Sequence, residues 1–411
     1  MRIPFILAAV LLGGVTPALA DGWSGRVGVD YLHFWNAPLN PEQYSNYLSP
    51  FAEAEYNAEW DDGKQQFNFT GFVRGDSRDD NHQHADIREL EYLLVASDYS
   101  LRAGVSKVFW GVTEAEHLVD IVNQTDLVEN PDEKTKLGQP MLNLTLNNLG
   151  SGTLDLFVLP YFRERTYPDA SGRPRTRLVV DDDYATFEAS NGHKHVDFAA
   201  RWSVSESGLD LGLSYFNGTG RNPRLLPQQI APGQFVLAPH YELLQQLGID
   251  ASYVDDSILW KLEAVGREQL DAWYFASSVG FEYTLSGVFG SAADIGLLSE
   301  FMYDNRGLNA TRVIPLPPVK AIGAPPNYYQ NDLLFGLRIG FNDVQSSQIL
   351  MGIIADLQGQ GQIYNLEAER RLGETWKVNL QFRSYANIPV NNVLYTQRDD
   401  NYMRASLAWY F

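Results

Sequence analysis

Two histidine pairs, His82-x-His84 and His193-x-His195, each place two imidazoles on one face of an extended segment, which is the spacing of a surface metal site. Neither pair has matching ligands nearby, and both fall in or beside segments read below as loops, so no metal is expected. Acyl transfer would need a histidine within reach of a nucleophilic serine. His195 and Ser203 share a strand face but lie about 27 Å apart along it. No Gly-x-Ser-x-Gly, P-loop or dinucleotide fingerprint occurs. The chain has no cysteine, which removes cysteine nucleophiles, thiolate metal sites and cysteine-ligated clusters. No catalytic residue, cofactor or enzymatic activity is expected. What remains is a large set of charges at alternate positions, whose chemistry is the orienting and sorting of charged solutes.

Those charges are positioned by strands. In Phe51–Trp60, Ala52, Ala54, Tyr56, Ala58 and Trp60 share one parity, and Glu53, Glu55, Asn57 and Glu59 share the other. Leu142, Leu144 and Leu146 oppose Asn143, Thr145 and Asn147; Trp376, Val378, Leu380 and Phe382 oppose Lys377, Asn379, Gln381 and Arg383. Side chains of a strand alternate between two faces, so each segment has an apolar face and a polar one. About 18 such segments of roughly 11 residues, or 16, run from Ser24–Trp35 to Asn401–Phe411, the length a tilted strand needs to cross a bilayer. Every second connection is mostly a tight turn, as at Asp61-Asp62-Gly63 and Ser205–Gly208. The others include the long Asn36–Ser49, Trp110–Leu137, Arg165–His193, Thr219–His240, Asn305–Gln330 and Asn387–Asp400. Two outer connections, Glu268–Leu270 and Gln358–Gly361, are short and fit that pattern less well. So many amphipathic strands in a soluble protein would need a second sheet or helices to cover them, and helix-like stretches occur only in the expected loops.

Composition agrees. Hydrophobic residues make up 45% of the chain, yet its mean hydropathy is −0.25, which suits strands apolar on one side only. Aromatics reach 13%, with 22 Tyr and 9 Trp, as barrels with two interfacial girdles require. A net charge of −20 makes nucleic acid a poor partner. Met1–Ala20 reads as a signal peptide, with Arg2, an apolar stretch Phe5–Val10 and Ala18-Leu19-Ala20 before Asp21; residues 21–411 then form one domain. No other stretch approaches a transmembrane helix, so an exported chain entering a membrane would do so as a closed barrel.

From Tyr402 to Phe411 the alternation is strict, with Met403, Ala405, Leu407, Trp409 and Phe411 on one face. With the leader, the strand–loop parity and the Phe109-Trp110-Gly111 entry to a long loop, this segment resembles the closing strand of Gram-negative outer-membrane porin-like proteins. Lys261-Leu262-Glu263-Ala264 and Glu300-Phe301-Met302-Tyr303-Asp304 are similar to a largely uncharacterised proteobacterial branch. The resemblance implies an all-β, antiparallel up-and-down transmembrane barrel with short periplasmic turns and long extracellular loops. It implies an outer-membrane location amid lipid and lipopolysaccharide, and assembly by the barrel-insertion machinery reading Trp409 and Phe411. It also implies a homotrimer or monomer that passes small hydrophilic solutes. A specific transporter of sugars, uronates or organic acids, and a closed structural or assembly barrel, are the alternatives.

In general porins the loop in the position of Trp110–Leu137 folds into the lumen. Glu114–Asn123 has the pattern of a short amphipathic helix, with Leu118, Ile121 and Val122 toward the wall. Glu114, Glu116 and Asp120 would then face the channel, opposite Arg102, Lys261, Arg338, Arg383 and Arg404, as two sides of a transverse field.

Overall fold

A computed structural model describes residues 22–306, 312–314, 320–322 and 327–411. The expected leader, Met1–Ala20, lies outside the described residues, as does most of the connection Asn305–Gln330. Eighteen strands build one sheet: β1 (Trp23–Phe34), β2 (Asn46–Trp60), β3 (Gln65–Arg74), β4 (His84–Val95), β5 (Tyr99–Ser106) and β6 (Gln139–Leu149). Next come β7 (Gly152–Leu159), β8 (Asp197–Glu206), β9 (Leu209–Thr219), β10 (Leu243–Asp255), β11 (Ile258–Gln269) and β12 (Ala272–Leu285). The last are β13 (Asp294–Asp304), β14 (Asn331–Gly340), β15 (Gln348–Asp356), β16 (Gln362–Leu372), β17 (Trp376–Ala386) and β18 (Tyr402–Tyr410).

Each strand pairs antiparallel with its chain neighbours, and the sheet closes on itself where β1 meets β18, Arg26 opposite Tyr410 through Phe34 opposite Tyr402. Closure leaves no strand edge unpaired, which a lipid-facing sheet requires because no water is there to satisfy backbone groups. The expected parity holds. Leu247, Trp260, Trp273, Phe275 and Phe335 are among the large apolar side chains left exposed on the outside, while Asp250, Glu263 and Glu300 are buried on the inside. The short turns take positive φ where two-residue hairpins demand it, at Ser207 and Gly208 between β8 and β9 and at Leu270 and Asp271 between β11 and β12.

Three departures from the regular ladder matter for the interior. A bulge in the β3–β4 pairing sets Thr70 opposite Glu89 and Gly71 opposite Ile87, so Arg88 is the extra residue. Bulges re-aim side chains, and the Arg88 guanidinium lies 3.4 Å over the Phe72 ring, inside the barrel. Gly104 in β5 has φ +137°, and a Cβ there would lie 2.0 Å from the Leu90 carbonyl oxygen. Gly104→Ala should therefore lower the urea midpoint of the detergent-folded barrel, since the strained backbone alone costs about 1–3 kcal/mol; an unchanged midpoint would contradict this reading of β5. Outside the wall, Arg224–Ala231 and Gln234–Tyr241 form a hairpin joined in parallel by Thr186–Phe187, within what the sequence suggests are two plain outer loops.

Candidate functional site

The connection between β5 and β6 does not stay outside. It crosses the barrel interior as a strap, and its apolar side is pinned to the wall. Leu118, Val119, Ile121 and Val122 are buried with Met141, Phe157, Ala199, Phe216, Leu244, Val265 and Ala276, which project inward from β6 through β12. Burying four such side chains against an inward-facing apolar patch is worth roughly 1.5–3 kcal/mol each.

The expected helix at Glu114–Asn123 does not form; the segment is turns and irregular backbone. The physical reason is competition for its N–H groups. Glu263 of β11 accepts from Val112 N (2.7 Å), Thr113 N (2.9 Å), Thr113 Oγ1 (2.7 Å) and Val119 N (3.2 Å). Glu300 of β13 accepts from Glu114 N (2.7 Å) and Ala115 N (2.9 Å), and Asp120 accepts from Trp110 N (2.7 Å) and Gly111 N (3.2 Å). Charge-assisted bonds to carboxylates outbid a single helical turn, whose own nucleation is unfavourable.

The far end of the strap is held by its acid Glu129. Arg74 donates to it at 2.8 and 3.0 Å, Arg88 at 3.1 Å, and His84 Nε2 lies 3.2 Å away. Burial works against the Glu129 anion, yet His84 and Arg74 hold its carboxyl well below the ordinary value. The histidine pair His82 and His84 lies against acids, with His82 Nδ1 2.8 Å from Asp76. His193 pairs with Glu164 at 3.0 Å, and His195 with Asp197 at 2.8 Å.

The charges expected to face one another across water are placed unevenly. Glu114 is ion-paired directly with Arg338 of β14 (2.6 Å) and Lys134 (3.0 Å). Burial alone would raise its carboxyl, but these two cations bring it down to about 2. Asp120 binds Lys136 and the strap's own backbone. Glu116 has no ion pair among the described residues, and burial pushes it up to about 8 against the pull of Arg267 and Arg306. Among the cations, Arg383 donates to Pro131 O (3.4 Å), and Arg404 binds Glu129 O (2.7 Å) and Asp30. Arg102 and Lys261 stay on the wall, nearest Glu91 (3.3 Å) and Glu282 (3.7 Å). Three of the five expected cations thus touch the strap or its acid, and two do not. Trp409 and Phe411 lie side by side, ring centres 5.0 Å apart.

Glu263, Glu300, Glu129, Arg74 and Arg88 do most of the holding, and none was singled out from sequence as part of a constriction. Glu263, Glu300 and Arg74 stand at inward parity, a signal of location only. Arg88 stood at no distinctive parity because the bulge was not legible.

The strap divides the interior. Toward the short-turn end lies a cavity of about 480 Å³, lined by residues such as Arg26, Asp30, Arg338, Glu369 and Arg404. Toward the long-loop end lies one of about 170 Å³, lined by residues such as Glu116, Arg267, Tyr329, Arg383 and Tyr385. Over the latter end the outer loops are knitted together. Arg173, fully buried, donates to Asp400 at 2.5 Å and to Asn36 O at 3.1 Å, and Tyr47 Oη donates to Ser171 O at 2.6 Å.

A closed 18-stranded antiparallel barrel with short turns at one end, long loops at the other and a loop folded into a charged interior is the fold of Gram-negative outer-membrane porins and related barrels. Solved structures of that kind are similar to it throughout. Wzi, an outer-membrane protein involved in group 1 capsule assembly in Escherichia coli and described as a carbohydrate-binding β-barrel, is 10% identical, with 94% of this chain and 83% of that one covered and a TM-score of 0.53. OccK5 (OpdH) of Pseudomonas aeruginosa is 10% identical, covering 95% and 97% with a TM-score of 0.53. OpdQ of the same organism is 11% identical, covering 96% and 99% with a TM-score of 0.52. No family model matches the chain, and no curated protein sequence matches it.

Proposed function

We propose that this chain is an outer-membrane channel that passes small hydrophilic solutes between two water-filled chambers separated by the strap at residues 107–138. The observation that carries this reading is the interior itself: charged side chains line both chambers. Without water there, their desolvation would be prohibitive, and barrels of this strand number are wide enough to hold an aqueous channel. Glu114, Glu116 and Asp120 on the strap, with Arg338, Arg383 and Arg404 on the wall, set the field a solute meets; Arg102 and Lys261 shape the approach. On this reading residues 1–20 are removed on export and 21–411 form one barrel. Trp409 and Phe411 are then read by the insertion machinery, lipid and lipopolysaccharide surround the apolar parity, and the barrel works as a monomer or a trimer.

A second reading, a closed barrel serving assembly, is favoured by one observation, the number of bonds fixing the strap on opposite sides of the interior. Liposome swelling separates the two. Vesicles carrying the folded protein should swell in small sugars and organic anions at rates falling with solute size. Swelling no faster than in protein-free vesicles for every solute would leave the closed barrel.

A further inference from the structure

We infer that the chamber on the long-loop side is a binding site for a small organic carboxylate, held between Arg267 of β11 and Arg383 of β17. The inference rests on the channel reading above, and names the cargo class that channel prefers.

The chain as a whole carries −20, yet this chamber is lined by seven Lys and Arg against four Asp and Glu. Most of those cations are already matched: Lys134 by Glu114, Lys136 by Asp120, Arg165 by Glu133, Arg221 by Asp197 and Arg306 by Asp304. Arg267 and Arg383 differ. Among the described residues neither has a carboxylate within ion-pair distance. Arg267 donates to Gln246 Oε1 (2.6 Å) and Leu118 O (2.8 Å), and Arg383 to Asn365 Oδ1 (2.8 Å) and Pro131 O (3.4 Å). Both are fixed by neutral acceptors, and the acids that act on them, Glu116 and Asp304 on Arg267 and Asp132 on Arg383, lie beyond ion-pair distance, so neither planar fork is filled by a carboxylate of the chain. A guanidinium is always charged and presents a planar fork that matches a carboxylate.

The rest of the chamber suits an organic rather than an inorganic anion. Tyr328, Tyr329 and Tyr385 line it beside the two arginines, and offer ring faces and hydroxyls to a carbon skeleton. Its volume of about 170 Å³ is close to that of a cavity of roughly 150 Å³ that accepts benzene, so the solute is small. Glu116 also lines the chamber, with Arg267, Arg306, Asp304 and Asn327 as its neighbours. Pushed up to about 8, its carboxyl is neutral below that pH and adds no repulsion; above it, the new anion opposes the solute.

The test uses the full detergent-folded chain and three probes at fixed ionic strength: succinate, its neutral diamide succinamide, and inorganic phosphate. Calorimetry reads binding without requiring current, and planar-bilayer recording reads block of the potassium chloride current. Succinate should bind and block; succinamide should be weaker by roughly tenfold or more because it loses the charge-assisted bonds, and phosphate should be weaker because it has no carbon skeleton for Tyr328, Tyr329 and Tyr385 to pack against. Arg383→Gln and Arg383→Lys should each weaken succinate, the glutamine by roughly tenfold and the lysine by less. Wild-type affinity should fall between pH 7 and pH 9, and Glu116→Gln should abolish that fall. Succinamide or phosphate binding as tightly as succinate, or Arg383→Gln leaving succinate unaffected in a correctly folded barrel, would overturn the site. Succinate binding without any current would refute the channel and keep the site; current without succinate binding would do the reverse.

Discussion

Replacing Glu129 by glutamine is expected to free the far end of the strap and raise single-channel conductance by roughly a factor of two. Glu129 is the hub on which Arg74, Arg88 and His84 converge. The Arg74 side chain is only 3% exposed, and with Glu129 neutral it keeps Asp30 alone. Removing one member of so buried a set costs about 3–5 kcal/mol, much of which the strap can recover by leaving the wall. The pH dependence follows from the lowered carboxyl. A depressed acid contributes stability in full above its ordinary value of 4.5, and loses it as pH falls through the lower native value. Wild-type conductance should therefore hold steady down to about pH 4.5 and open only in stronger acid. A Glu129→Gln channel indistinguishable from wild type in conductance would show that this hub does not hold the strap.

The second large effect is expected at the other end, in the double variant Glu263→Ala with Glu300→Ala. Those two carboxylates accept the N–H groups of Val112, Thr113, Glu114, Ala115 and Val119. Each buried donor left without a partner costs about 1–3 kcal/mol, so the irregular backbone loses the bonds that displaced a helix there. The strap should become mobile inside an intact barrel. Currents should turn noisy, and trypsin should cut at Lys134 or Lys136 in the folded protein, where wild type, with both lysines ion-paired, should resist. Resistance equal to wild type would mean that the apolar contacts of Leu118, Val119, Ile121 and Val122 suffice alone. The barrel itself should survive, because its strand ladders involve neither side chain.

All eighteen strands were legible in the sequence, and for a physical reason. Their faces see two unlike surroundings, so alternation was enforced along segments such as Phe51–Trp60 and Trp376–Phe382, and turn residues such as Ser207-Gly208 marked the short connections. Chain termination of each strand by a turn fixed most boundaries to within a few residues. The strap's entry into the lumen was legible only through resemblance, and its conformation was not legible at all. Glu263 and Glu300 lie about 150 and 186 residues from the groups they bind, and no local pattern reports such a partner. The amphipathic spacing of Leu118, Ile121 and Val122 did announce a buried face, but it could not tell a helix from a pinned irregular loop. The Arg88 bulge and the outer hairpin at Arg224–Tyr241 escaped for related reasons, since a single inserted residue and a short polar ladder barely disturb composition.

The interior of this barrel is taken to be continuous water, narrowed but not sealed by the strap. Recording purified, folded protein in a planar bilayer under a potassium chloride gradient tests that most directly. Discrete current steps are expected, with a reversal potential displaced toward chloride by the basic chamber. Protein that inserts and stays folded yet carries no current above the bare bilayer would contradict it.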